Sequence, residues 1–212
     1  IEENHFFFDC VERLENVFTL LPTAQKLEKR IKKILDDLNS LDGKVFERGH
    51  KELGELLGYI SHNPSSTGAP DPYWIINENN VVVSEDKIYE EKEQIKSIPI
   101  SDVSEAGRHC VWILEHEKRI LKDANVYTVL ITNSTSIEDD ARIYADNLYY
   151  VYRKDYVSWA VKALTVIRRV WNTYTDGGEM AWREAVHEEF MKESVTPKDY
   201  LEFVCKKKLK NI

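Results

Sequence analysis

The apolar positions change period along the chain, and each period predicts a different element. Leu27, Ile31, Ile34, Leu38, Leu41 and Val45 recur at alternating steps of four and three, which aligns an apolar seam on one side of a long helix. A seam of this length either forms a coiled-coil arm or, as expected here, packs on its own domain. Pro22 either starts this helix or divides it from Phe6-Phe7-Phe8 and the run through Leu21. Val45, Phe46, Leu53, Leu56 and Leu57 then suit one face of a helix that Gly58 stops. Past Gly68 the pattern shortens: two apolar runs, ending and starting at Ile76 and Val81, flank Asn77-Glu78-Asn79-Asn80, which predicts a β-hairpin.

Ile98 to Ile113 reads as a loop and then a helix, with Ser101 or Asp102 as N-cap and Glu105 in the first turn. Val126–Thr132 is rich in β-branched residues, as a buried strand requires, and residues 137–145 and Leu148–Val151 follow as a helix and a further strand. From Asp155 to Lys210 the chain reads as helices broken by Asp176-Gly177-Gly178 and by Val195-Thr196-Pro197. Trp159, Leu164, Ile167, Val170 and Trp171 supply a core-facing stripe there, and Thr196-Pro197 makes a helix start.

At 212 residues and 42% hydrophobic content the chain can bury a substantial core as one domain with helical additions. No long uncharged apolar run is present, so no membrane partner is expected. The opening Ile1-Glu2-Glu3 is acidic and the aromatic run after it is too short for a signal peptide. Cys10, Cys110 and Cys205 form an odd set without metal-ligand spacing, which points to a reducing, cytoplasmic compartment.

The candidate chemistry sits on the hairpin. Pro70-Asp71 follows a turn, and Glu85-Asp86-Lys87 ends the β-rich run that starts at Val81. Asp71 and Glu85 are fourteen positions apart across the predicted turn, so the hairpin brings both carboxylates together. Strand side chains alternate, so Glu85 and Lys87 share a face and Asp86 points away. Mg²⁺ needs one or two carboxylates, with a main-chain carbonyl, waters and a substrate phosphate completing its octahedron. Asp71 and Glu85 are the expected ligands, the Asp86 carbonyl can complete the inner shell, and Mn²⁺ is the alternative ion. Lys87 orients or deprotonates the attacking water and stabilises charge developing at phosphorus. A depressed lysine pKa would require partial burial.

These residues resemble the core of the PD-(D/E)XK nuclease superfamily, with Pro70-Asp71 as the first half of its motif and Glu85-Asp86-Lys87 as the second. Many members open their core with a helix carrying a Phe-Glu pair whose glutamate approaches the metal site from the side. Phe46-Glu47 matches that pair, which adds Glu47 to the catalytic candidates; the competing reading is a solvated helical carboxylate. Relatives often place a glutamine early in the helix after the hairpin, beside basic groups that touch phosphate. Here that position holds Glu105, while Arg108 and His109 are the expected phosphate contacts, against the alternative of a plain helix surface. His50 and His116 are expected to be surface or packing residues. The resemblance covers Val45 to Arg153, about half the chain. It implies an α/β fold with a restriction-endonuclease-like mixed β-sheet core flanked by helices (45–153), an N-terminal helical arm (1–44) and a C-terminal helical extension packed on the core (154–212).

Charge modifies that picture. With 29 basic and 37 acidic residues the chain stands at −8, whereas a freestanding DNA-binding protein is often basic. Lysines and arginines do cluster at residues 26–33, at Arg168-Arg169 and at residues 206–210, but solvated helix faces are the usual origin of such runs. DNA affinity is therefore expected to come largely from a protein partner or a fused ATPase or helicase-type domain. The resemblance suggests a larger anti-phage defence or DNA-processing assembly. Two other readings stand beside the Mg²⁺-dependent DNA endonuclease: the same fold without cleavage, binding nucleic acid or protein, and a helical scaffold in which the motif is accidental.

Overall fold

The computed structural model describes residues 2–90, 96–175 and 177–212, with side chains from Asp9 onward. Asp176 and the side chains of Phe6, Phe7 and Phe8, named above, lie outside the described residues. Helices α1 (Glu2–Leu20) and α2 (Ala24–Leu38) part at Pro22, where the Thr23 hydroxyl caps α2 by accepting from the Lys26 N–H. Leu27, Ile31, Ile34 and Leu38 are buried, so the seam packs on its own domain. It stops there. Asp42 accepts from the N–H groups of Lys44 and Val45 and starts α3 (Gly43–Leu56), which leaves Leu41 exposed in the intervening turn. The single long helix expected through Val45 is thus two, because Asp42 side-chain capping competes with helix continuation.

Gly58 ends α3 as predicted. Its φ is +83°, and a Cβ there would collide with the Cys10 carbonyl oxygen, so glycine satisfies both the left-handed turn and the close approach of α1. The chain then enters β1 (Ile60–His62), a strand of three residues whose periodicity is too short to recognise. The predicted hairpin follows as β2 (Tyr73–Asn77) and β3 (Asn80–Lys87). Helix α4 (Ile100–His116) crosses to β4 (Asn125–Thr132), which pairs parallel to β3, and β5 (Leu148–Tyr152) pairs parallel to β4. The sheet is mixed, with order β1-β2-β3-β4-β5. Two details differ from expectation. Pro99 rather than Ser101 or Asp102 precedes α4, with no side-chain cap, and residues 139–144 form a 3₁₀ turn instead of an α-helix.

Helices α5 (Arg153–Asn172), α6 (Met180–Lys192) and α7 (Pro197–Val204) complete the chain. Thr196 and Asp199 form a capping box with Pro197 in the first turn of α7, which is the predicted start.

Alternation along the strands distributes the core over both faces. Tyr73, Ile75, Val81 and Val83 pack with Ile113 of α4 on one face. On the other, Trp74, Ile76, Val82, Val129, Ile131 and Val151 join side chains of α1, α2, α3, α5, α6 and α7 in one continuous core. Trp74 lies between Tyr59 and Tyr200, its ring centroids 5.1 and 4.6 Å from theirs. The helices before residue 45 and after residue 153 therefore share a single core with the sheet. Among the described residues, no helix is long and apolar enough to cross a membrane.

Candidate active site

The β2–β3 ladder stops where the candidate residues begin. Tyr73 pairs with Val83. Beyond them the Ser84 N–H donates to the Pro72 carbonyl at 3.0 Å and the Asp71 N–H donates to the Ser84 carbonyl at 2.9 Å. Continuing that register sets Asp71 across from Glu85, and residues opposite one another in an antiparallel pair share a face. On its other side β3 stays paired through Lys87, which lies opposite Thr132 of β4. The site is thus a notch at the end of β3 where β2 has turned away.

Parity assigns the three residues of the triplet as predicted. Glu85 and Lys87 point to the α4 side, where Lys87 Nζ lies 2.5 Å from Glu85 Oε1 and 3.1 Å from Glu105 Oε2. Glu85 Oε2 meets His109 Nε2 of α4. Asp86 points to the opposite face, where its Oδ2 lies 2.8 Å from His50 Nδ1 of α3. Glu85, Asp86, His50 and His109 are all at most 3% exposed, so this short stretch of β3 carries two buried carboxyl–imidazole pairs, one on each face.

Burial and the charges of Glu85, Asp86 and Glu47 push the Asp71 carboxyl up to about 8, against the opposing pull of Lys87. Glu47 on α3 thus joins the same electrostatic cluster; its Oε2 also accepts from Asn63 Nδ2 at 3.4 Å. Burial drives the His50 pKa down to about 3, with Glu47 opposing, and drives Asp86 up, helped by Glu47 and Glu85. Burial thus favours the neutral form of each partner. For Lys87, desolvation alone would lower the pKa, but the carboxylates of Glu85 and Glu105 outweigh it and hold the group above its ordinary value. Partial burial has not produced the depressed lysine that a proton-abstracting role would need; Lys87 is a fixed cation here.

Other candidates fall differently. Arg108 is exposed on α4. His109 is neither on a helix surface nor free to meet a phosphate, because it is buried and bonded to Glu85. His50, expected to be a surface or packing residue, bonds Asp86. Both histidines were detectable from periodicity: His50 falls on the buried stripe of Phe46 and Leu53, and His109 on that of Val103, Ala106 and Ile113. Asn133 had no such signal. It bridges the N–H and carbonyl of Tyr89 at 2.9 and 2.8 Å and ties the chain after β3 to the end of β4.

Among the described residues, no three His, Cys, Asp or Glu side chains stand assembled as a metal-ligand set. Mg²⁺ takes oxygen ligands and needs only one or two carboxylates, a donor type that Asp71 and Glu85 supply. The chain matches no protein-family model, no curated protein and no solved structure.

The Asp71 shift has a measurable consequence. A carboxyl whose folded pKa is about 8 against an ordinary 3.8 contributes stability that is fully present below 3.8 and lost as pH rises through 8. In EDTA, the thermal midpoint of the wild-type protein relative to Asp71→Asn should fall between about pH 5 and about pH 9, and excess Mg²⁺ should reverse the fall. A difference that stays flat across that range would remove this electrostatic assignment.

Proposed function

We propose that the chain is a Mg²⁺-dependent DNA endonuclease domain with a restriction-endonuclease-like core of the PD-(D/E)XK type. The observation that carries this reading is the placement of Asp71, Glu85 and Lys87 at one notch of the sheet, where burial and then the charges of Glu85, Asp86 and Glu47 raise the Asp71 carboxyl. Asp71 and Glu85 would hold the ion, with the Asp86 carbonyl as a further oxygen donor. When bound, Mg²⁺ supplies Lewis-acid activation of the phosphate and lowers the pKa of the attacking water. Lys87 then stabilises charge developing on the phosphoryl oxygens and orients the water, with Glu105 beside it. Glu47 adds negative charge from the α3 side.

One observation favours the alternative of a catalytically inactive nuclease-fold module that binds nucleic acid or protein. Both oxygens of Glu85 are already engaged, one by Lys87 and one by His109. A divalent cation must compete with that ammonium. Incubating the chain with supercoiled, linear and single-stranded DNA and with Mg²⁺ or Mn²⁺ separates the two readings. Metal-dependent cleavage of any of these substrates supports the nuclease; metal binding with no cleavage supports the binding module.

The basic clusters support dependence on a partner for DNA affinity. Arg30 pairs with Glu52 and Glu55, Lys32 with Asp36, Arg168 with Glu28, Arg169 with Glu189 and Glu193, and Lys210 with Asp146. Lys207 and Lys208 lie over the rings of Tyr150 and Tyr149. Much of the charge in these clusters is thus matched within a chain whose net charge is −8, so the isolated chain should bind DNA weakly and lose that binding steeply with salt. In a larger defence or DNA-processing assembly, a helicase-type or ATPase partner would supply the rest. Tight, salt-resistant binding by the isolated chain, unaffected by charge reversal of Lys206, Lys207 and Lys208, would exclude this arrangement.

A further inference from the structure

The stretch Glu85–Lys87 has an asymmetric support. Toward β4 it is held by a regular parallel ladder, but toward β2 the last backbone bonds are those of Ser84. A catalytic strand end paired on one side only would be free to twist, because each residue of ladder lost removes main-chain restraint. Two side chains occupy the positions that could prevent this. His109 reaches Glu85 from α4 on one face, and His50 reaches Asp86 from α3 on the other. Each imidazole is itself buried. His50 is enclosed by the rings of Phe46, Trp74 and Tyr156, at centroid distances of 6.3, 5.2 and 4.9 Å, and His109 lies on the buried face of α4, 1% exposed.

We infer that His50 and His109 are positioning residues that clamp β3 from its two faces, His109 setting the orientation of the Glu85 carboxylate and His50 setting the Asp86 peptide between Glu85 and Lys87. The inference rests on the metal-dependent reading of the site. It assigns the histidines no contact with substrate or ion. Outer partners of this kind are buried, hydrogen-bonded to a ligand residue and rigid, and their loss costs metal affinity even though every ligand is still present.

Mn²⁺ alone is the probe, titrated into the full chain and followed by the electron paramagnetic resonance of the free ion. His109→Leu and His50→Leu remove the polar nitrogen while filling much of the space, and each should weaken Mn²⁺ binding about 10- to 100-fold. His109→Gln places an amide nitrogen near the Nε2 position and His50→Asn near the Nδ1 position, so each should recover most of the wild-type affinity. Leucine variants that fold and bind Mn²⁺ as tightly as wild type would overturn the clamp, as would conservative variants no better than the leucine ones. The wild-type protein gives a second readout that does not depend on a variant folding. The imidazole ¹⁵N resonances of His50 and His109 should move together on one Mg²⁺ saturation curve while those of exposed His116 stay still. Saturable Mg²⁺ binding that leaves both resonances unmoved would refute the inference but spare the metal site. No Mn²⁺ or Mg²⁺ binding by the wild-type chain would remove the metal-dependent reading itself, and the clamp with it.

Discussion

A chain cut after Tyr152 is expected to fail to fold, and Trp74→Ala in the full chain is expected to lose about 3–5 kcal/mol of stability. The reason is the continuity of the core. Helices α5, α6 and α7 contribute Tyr156, Trp159, Leu164, Ile167, Val170, Trp182 and Tyr200 to the same cluster that holds Trp74 and the buried side chains of α2 and α3. Trp74 is 1% exposed and stacks on Tyr59 from the α3 end and on Tyr200 from α7, so its removal opens a cavity where three parts of the chain meet. A loss of that size is a large fraction of the roughly 5–15 kcal/mol that holds a typical domain. Urea denaturation followed by circular dichroism gives both results. Cooperative unfolding of the truncated chain with a midpoint near that of wild type would mean that residues 153–212 are a dispensable attachment.

Legibility in the sequence followed local rules. The hairpin was readable because Asn77 to Asn80 interrupt two β-rich runs, and β4 because seven consecutive residues have strand character. The side assignments of Glu85, Asp86 and Lys87 needed only the two-residue strand repeat. Features that depend on distant partners were not readable. Strand β1 exists because Ile60, Ser61 and His62 find the edge of β2, opposite Ile75, Trp74 and Tyr73, and three residues carry no period of their own. The partition into arm, core and extension came from composition and motif span, whereas burial of Leu27, Tyr156 and Tyr200 in one cluster is a property of packing. The resemblance makes His109 a phosphate contact, whereas its place on the apolar stripe of α4 indicates burial. The Lys87 environment was equally invisible, since Glu105 approaches it from another element.

Asp71→Ala and Glu85→Ala are each expected to lower the rate of DNA cleavage by at least about 10³-fold while leaving the fold intact. Each removes one of the two side-chain carboxylates offered to the ion, and Mg²⁺ held by a single carboxylate would lose both its affinity and its placement against the phosphate. Asp71 is a relief as well as a loss: it is held among Glu85, Asp86 and Glu47, so Asp71→Ala should leave the folded protein as stable or more stable above pH 8. Lys87→Ala should behave differently, lowering the cleavage rate by about 10²- to 10³-fold with little loss of metal affinity, because the ammonium is not a ligand. It would also free Glu85 Oε1 from its 2.5 Å ion pair.

The central claim is that these residues cut phosphodiester bonds with a divalent metal. Wild-type, Asp71→Ala and Glu85→Ala proteins, incubated with supercoiled and single-stranded DNA in Mg²⁺ and again in excess EDTA, test it in one experiment. The expected result is nicked, linear or shortened DNA with wild type in Mg²⁺ alone. Cleavage that persists in EDTA, or that either alanine variant carries out at the wild-type rate, would contradict it.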